Sequence, residues 1–390
     1  MTTLRPSLTG GGLFPLSSKA KLILALFTVC LLISCGEFGG FSEFSKADTG
    51  SITKVEAYFT DENLAKFYDS VSQPEEDYAQ CTVTMSGDKK TYQGWMKVRG
   101  YTSRGEPKKN FTLQIKVGNE KAKYALMHEA GTWFKNRIVM YAYDNFRYKG
   151  DSLIAAPDTK PIALFVNDNY LGYYVRVDMY EESQLNSYKK GSLSELFKVF
   201  LKGYDADPLY GNTEKKFPKD KDFSTIELLL TNLNRMSNED WIAWVEKYID
   251  VDDFIRYMVI HNFFGVEDTE VQNFYIYNYG KLVFLPWDNE LGMKLEYDCF
   301  MGNNKLTKRI LAVPSVKAAY IQAMKDFVTD TDFLAELKAK VNEWYDESYL
   351  AIKNDPIYYY TIEDARKCRD AILNFIDKRG NSNAYKKHFQ

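Results

Sequence analysis

The chain changes its hydrophobic period once, near residue 182, and that change limits the folds open to it. From Lys54 to about Glu182 apolar residues recur at every second position, in runs such as VEAYF, CTVTM, TYQGWMKVRG, NFTLQIKV, PIALFVN and YYVRVDM. This is the pattern of strands with one buried face. SGDKK, SRGEP and NDNYLG interrupt the runs, and the spacing predicts hairpin turns at Ser86–Lys90 and Asn167–Tyr170. From about Ser183 the spacing is helical, in STIELLLTNLNRM, DWIAWVEKYI, DDFIRYMVIHNFF, VKAAYIQAMKDFV and DFLAELKAKVNEWYDESYLAI. Several of these open on Ser or an acid at the cap position, as Asp252-Asp253 does before FIRYMVIHNFF. Inside the helical half, FYIYN and KLVFLPW flank Tyr279-Gly280 and predict an embedded β-hairpin. The expected class is α+β, with a strand-rich lobe over 54–182 and a helix-rich lobe over 183–390.

A chain of 390 residues, 45% hydrophobic and 26% charged, can bury a large core, and its 29 Tyr and 25 Phe are expected to pack there. The N-terminus has a different character. Arg5, Lys19 and Lys21 precede the apolar run LILALFTVCLLIS, Leu22 to Ser34, and then Cys35-Gly36. This is the order of a signal peptide, and a span of thirteen residues is short of the roughly 20 that cross a bilayer. Leu32-Ile33-Ser34-Cys35 resembles the lipobox of bacterial lipoproteins, which implies cleavage after residue 34, acylation of Cys35 and an extracytoplasmic, membrane-anchored protein. Gly36–Thr53 would then be a tether, and the fold is expected to begin near Lys54.

Loss of residues 1–34 removes three cations and takes the formal net charge from −3 to −6. A mildly acidic chain lacks the basic footprint of sequence-independent nucleic-acid binding. Beyond Cys35 only Cys81, Cys299 and Cys368 remain, too widely spaced for a Cys-x-x-Cys metal motif.

The hairpin carries the most informative polar residues. Asp268-x-x-x-x-Asn273 precedes it and Asp288 follows, fifteen residues beyond Asn273. In kinase catalytic loops an acid faces the acceptor hydroxyl, an Asn five residues on supplies an amide oxygen to magnesium, and a later acid also binds metal. Magnesium favours such hard oxygen ligands. By spacing alone, Asp268 capping a turn, Asn273 opening a strand and Asp288 capping a helix explain the residues as well. A second element lies in the other half. The loop from Val98 to Phe111 holds Gly100, Gly105, Thr102, Ser103 and the cations Arg99, Arg104, Lys108 and Lys109, a composition suited to polyphosphate. Period two groups Lys109 with Phe111, Leu113 and Ile115 on the inward face and turns Lys108 outward.

Four segments, in order, resemble the spore coat protein H (CotH) kinase family. They are GWMKVRGYTSRGEPKKNFTLQIK, TWFKNRIVMYAYDN, PIALFVNDNYLGYYVRVDMYEE and DTEVQNFYIYNYGKLVFLPWDNELG, and the resemblance covers roughly Lys54 to Arg379. It implies a protein-kinase-like two-lobed fold and an atypical secreted or surface kinase that uses ATP and Mg2+, or Mn2+, to phosphorylate Ser or Thr of a protein substrate. Carried over by position, Asp268 is the catalytic acid, and Asn273 and Asp288 are the metal ligands. Arg99, Gly100, Ser103, Gly105, Lys108 and Lys109 lie on the phosphate side, and Asp178 beside the adenine. Glu129 and Asp144 both stand as acid partners for the lysine. The chain departs from the pattern at Val266-Glu267, where kinases have His-Arg, at Asn289-Glu290 after the second acid, at Tyr101 in the loop and at Asn167-Asp168. These departures keep two alternatives open, a non-catalytic surface binding or adhesion module on the same fold, and adenylyl transfer by the same acids.

Other residues argue for less. His261 falls at helical spacing with Phe254, Tyr257 and Met258 and is expected to pack. No H-E-x-x-H or G-x-S-x-G occurs. Glu181-Glu182 point apart, and the mixed-charge run EKKFPKDK, Glu214 to Lys221, is expected to be an exposed loop.

Overall fold

The alternating half of the sequence forms strands with buried inward residues. In the computed structural model, which describes residues 47–69, 78–100, 106–129, 131–146, 148–149, 156–189, 191–199, 213–266, 273–302, 304–356 and 360–389, these strands close on themselves. They are β1 (Thr53–Tyr58), β2 (Ala79–Met85), β3 (Asp88–Arg99), β4 (Asn110–Val117), β5 (Glu120–Met127), β6 (Thr159–Val166) and β7 (Asn169–Asp178). Their order is β1-β2-β3-β4-β5-β7-β6, and β6 returns parallel to β1 to complete a barrel. Closure removes the unpaired edges that would otherwise invite association. Val55, Val83, Val98, Leu113, Leu126 and Leu164 fill the interior, and Phe67 of helix α1 (Asp61–Asp69) enters the same core, stacked on Phe59 at 4.9 Å.

Both hairpin turns expected from the sequence are present. Gly87 turns between β2 and β3 at φ 87°, and Asn167 and Asp168, at φ 46° and 65°, join β6 to β7. Two consecutive left-handed residues match the right-handed twist of the flanking strands. Upstream, Asn354 Nδ2 donates to the Asp48 carbonyl at 2.7 Å and Thr49 is buried, so the fold starts a few residues before Lys54.

Helix α2 (Lys135–Asn145) interrupts the barrel strands. The rest comprises α3 (Glu182–Tyr188), β8 (Glu195–Val199), β9 (Thr213–Phe217), α4 (Ser224–Arg235), α5 (Asn238–Tyr248), α6 (Val251–Phe264), β10 (Phe274–Asn278), β11 (Leu282–Pro286), α7 (Lys305–Leu311), α8 (Pro314–Thr329), α9 (Thr331–Lys353), α10 (Ile362–Arg379) and α11 (Asn383–Lys386). The molecule is therefore a mixed α+β protein. Helices α4, α5, α6, α8 and α9 fall where their spacing places them, and side chains cap several helix starts: Ser237 caps α5, Asp330 caps α9, and Thr361 with Asp364 forms a capping box on α10. The cap of α6 is Asp250, not Asp252-Asp253, which lie in its first turn. α6 is buried from Asp253 to Phe264, and its two internal charges answer each other: Arg256 lies 3.0 Å from Asp253, which also pairs with Lys189 at 3.0 Å.

The embedded hairpin is half of a larger element. β10 and β11 pair as expected, but β8 and β9 extend them into a four-stranded sheet of order β11-β10-β8-β9. The expectation of an exposed loop at EKKFPKDK is thereby corrected for its first residues, which form β9. Lys215 is buried there because Glu195 at 2.9 Å and Asp220 at 2.8 Å match its charge.

Candidate active site

The hairpin register determines what its acids can reach. Phe274 pairs with Pro286 and Asn278 with Leu282, so Asn273 and Asp288 both emerge at the end opposite the Tyr279-Gly280 turn. β10 and β11 are buried on both faces, which anchors that end in the core. Asn273 donates its N–H to the Val199 carbonyl at 3.2 Å. Both residues have φ of 60°, a backbone region that Asn and Asp enter more readily than other side chains. Such positions persist where the surroundings hold them.

Around Asp288 those surroundings are visible. Trp287 before it is 1% exposed and meets Tyr275 edge-on at 5.6 Å. Tyr180 Oη donates to the Pro286 carbonyl at 3.1 Å and Tyr143 Oη to the Phe284 carbonyl at 2.9 Å. On the other side, the Asn289 N–H donates to Asn136 Oδ1 of α2 at 3.0 Å, and Thr132 Oγ1 donates to Glu290 at 3.2 Å. The chain is thus held immediately before and immediately after the acid.

Cations face this end. Arg99, the last residue of β3, brings its guanidinium 5.6 Å from the Trp287 ring centroid, and Asp288 supports its charge against the cost of burial. Gly100 follows at φ 100°, a turn a side chain would strain. From the sheet, Lys198 lies over the same Trp287 ring at 5.7 Å. Burial and the neighbouring Arg99 and Lys216 push its pKa down to about 8, against the opposing pull of Asp288 and Glu214. Sequence reasoning missed Lys198, since ELFKV carries no motif.

The two lysines of the loop are the reverse of the expectation. Lys108 is the buried one: its Nζ donates to the Tyr173 carbonyl at 2.7 Å, pairs with Asp355 and sits 4.7 Å over the Tyr174 ring. Burial lowers its pKa and Asp355 opposes that shift. Lys109 is half-buried and donates to the Glu106 carbonyl. The cause is local: β4 begins at Asn110, so strand parity cannot be extended back over the bend at 106–108. Asp355, which follows α9, also accepts from the Tyr173 N–H at 2.8 Å. Gly172 makes room for this pair, because a Cβ there would stand 2.6 Å from the Asp355 carboxylate and 2.7 Å from Lys108 Nζ.

Glu129 and Asp144, the two acids expected beside the lysine, have other surroundings. Glu129 is buried near Arg137 and Glu290, accepts from the Phe134 N–H at 3.3 Å, and burial pushes its pKa up to about 8. Asp144 accepts from the Ala156 N–H and is pushed up to about 6, chiefly by burial. Asp178 ends β7, paired with Arg176 at 3.2 Å, and burial raises its pKa. His261 is packed against Tyr257 at 3.9 Å and burial holds it neutral, its pKa near 3. Asp268, Ser103, Gly105 and Cys35 lie outside the described residues. Cys81, Cys299 and Cys368 are free thiols.

Among the described residues no cluster of three or more His, Cys, Asp or Glu gathers as a metal site. The fit to a divalent ion rests on the donor set at the hairpin end: a carboxylate and an amide oxygen on adjoining backbone, flanked by Arg99 and Lys198. Hard oxygen donors beside cations are what a magnesium ion with phosphate ligands requires.

Such an arrangement on a mixed α+β fold defines a class before any comparison: proteins that present an Asn and an Asp at one end of a buried hairpin beside cations. The chain belongs to the CotH family, described as CotH kinase protein, which matches residues 96–382. Over 178 residues it is 22% identical to the inner spore coat protein H of Bacillus subtilis (strain 168), across 43% of this chain and 49% of that protein. The chain thus spans about half the length of the curated relative it matches. Among the described residues no helix is long and apolar enough to cross a membrane.

Proposed function

We propose that this protein is an ATP- and magnesium-dependent protein kinase that transfers the γ-phosphoryl group to Ser or Thr of an extracytoplasmic protein. The barrel is then the nucleotide-side lobe and the helical part, with its sheet, the catalytic lobe. The observation that carries the reading is the hairpin register that delivers Asn273 and Asp288 to one end beside Arg99. In this mechanism Asp268 orients the acceptor hydroxyl and takes its proton. The hydroxyl oxygen bonds to the γ-phosphorus while the bond to the β–γ bridging oxygen breaks, and ADP leaves. Asn273 and Asp288 would hold the magnesium, which supplies charge neutralisation at the phosphate oxygens. Arg99 and Lys109 face the phosphates, whereas Lys108, matched by Asp355, anchors the loop that bears them. With the leader removed and Cys35 acylated, the acceptor lies outside the cytoplasm.

The test is transfer of label from γ-labelled ATP, with magnesium or manganese, to a generic acceptor and to the chain itself, beside Asp288→Ala. Since positioning and electrostatics dominate phosphoryl transfer, the variant should lose on the order of 100-fold or more in rate while melting as the parent does. Equal transfer by the variant refutes the assignment of Asp288. Label arriving from α-labelled ATP identifies adenylyl transfer. Absence of transfer together with no nucleotide-dependent rise in melting temperature leaves a binding module on this fold.

A further inference from the structure

The cations around Asp288 come from both sheets, and they are arranged differently from the buried pair at Lys108. β8 pairs with β10 so that Lys198 stands opposite Tyr275, one residue before the Val199 carbonyl that fixes Asn273. Across β9 it stands opposite Glu214, whose carboxylate is 2.6 Å from Lys216. Lys198 and Arg99 approach the same Trp287 ring, at 5.7 and 5.6 Å, one from the sheet and one from the barrel. Trp287 directly precedes Asp288. The cationic field continues outward: Lys123 on β5 is shifted downward by burial and by Lys216, Lys97, Arg99 and Lys219. Drawing like charges together and partly out of water costs free energy, and functional sites are where such arrangements are kept.

We infer that Lys198, with Arg99, grips the terminal phosphates of a nucleoside triphosphate at the Asp288 end of the hairpin, and that Lys108 does not. The inference rests on the kinase reading above and adds to it a residue from outside the glycine-bearing loop. The contrast is one of geometry. Lys108 Nζ is enclosed by the Tyr173 carbonyl, Asp355 and the Tyr174 ring, and its position is tied to Gly172. Lys198 shares a strand face with Tyr275 and points at the indole that abuts the proposed metal ligand. A polyanion there would be clamped between two sheets, with Asn273 and Asp288 at its metal side.

The test is affinity tagging of the full chain by an acyl-phosphate derivative of ATP, in which a lysine amine near the phosphates attacks the acyl carbon, gives up a proton, forms an amide and releases ATP. Mass mapping should place the tag on Lys198, with its yield cut at least tenfold by excess ATP and magnesium. A competable tag on Lys108 or Lys109 instead of Lys198 overturns this inference and leaves the nucleotide site standing. No competable tag on any lysine, together with no ATP binding by calorimetry, overturns both. As a second readout, Lys198→Met should weaken ATP binding at least tenfold and leave adenosine binding unchanged, and Lys198→Arg should restore ATP binding to within about threefold. Equal loss of ATP and adenosine in Lys198→Met, or unchanged ATP binding, also overturns it.

Discussion

Asp355→Ala is expected to be among the most destabilising single substitutions in the molecule, although Asp355 belongs to no motif. Its carboxylate accepts from the Tyr173 N–H at 2.8 Å and pairs with Lys108, whose side chain is 6% exposed. Removing it strips the Lys108 ammonium of its counter-charge, leaving the Tyr173 carbonyl as its acceptor, and takes the acceptor from the Tyr173 N–H, beside the Tyr174 ring. Breaking a buried pair from one side typically costs about 3–5 kcal/mol, and a deserted buried N–H about 1–3 more at most. Relaxation and water entry reduce that sum, so about 3–5 kcal/mol is the expectation for urea unfolding near pH 7. The pH dependence follows from the lysine. Burial already lowers its pKa, and losing Asp355 lowers it further. A lysine with a depressed folded pKa destabilises the fold most below that pKa, so the loss in Asp355→Ala should shrink as pH rises through it toward the unfolded value. Lys108→Met should cost less, because the Asp355 carboxylate keeps the Tyr173 N–H as a donor. The double variant Lys108→Met/Asp355→Ala should be at least about 2 kcal/mol more stable than additivity of the two single changes predicts. Additive losses, or an Asp355→Ala variant within about 0.5 kcal/mol of the parent, would refute the reasoning.

Two further outcomes follow from buried charge. Arg379 donates to five backbone carbonyls, those of Asn262 and Phe263 at the end of α6 and of Lys294, Leu295 and Tyr297 after Asp288, so Arg379→Met should cost about 3–5 kcal/mol by chemical denaturation; a change below about 1 kcal/mol would show that water replaces it. Glu129, with its pKa raised to about 8, binds a proton in the fold that the unfolded chain releases above about 4.5, so stability should fall between those values by at most about 1.4 kcal/mol per pH unit. Glu129→Gln should flatten that decline, and an unaltered pH profile in the variant would count against Glu129 as its source.

What could be read in advance depended on how local the cause was. Periodicity identified the barrel strands other than β5, and the helices α4, α5, α6, α8 and α9, from their own apolar residues, whereas β5, α2 and α10 were not picked out. The hairpin that unites Asn273 and Asp288 was legible from composition: two apolar runs flank a Tyr-Gly turn, and the register follows from them. β8 and β9 were not, since ELFKV is short and TEKKF is a charged run whose Lys215 is buried against Asp220, just beyond the run, and Glu195 of β8. Lys108 and Lys109 were exchanged because parity was carried beyond the point where β4 begins. Asp355 lies 247 residues from the lysine it meets, and no pattern in the sequence marks it.

The same division accounts for how Asp288 can hold a left-handed backbone. The hairpin brings it to the site but does not fix its conformation, because pairing ends at Pro286. Its flanking residues are fixed from different directions. Tyr275 and the barrel's Arg99 meet Trp287, while Asn136 of α2 accepts the Asn289 N–H. α2 in turn contacts both α6 and α9, and Arg379 joins the end of α6 to the segment after Asp288. A shift of α2 would therefore act on Asp288 through the hydrogen bonds that Asn136 and Met140 accept from its neighbour Asn289. Strain at an acid is kept where independent elements over-determine the backbone. Here one constraint comes from the barrel, one from the sheet and one from α2, and only the sheet is encoded near Asp288 itself.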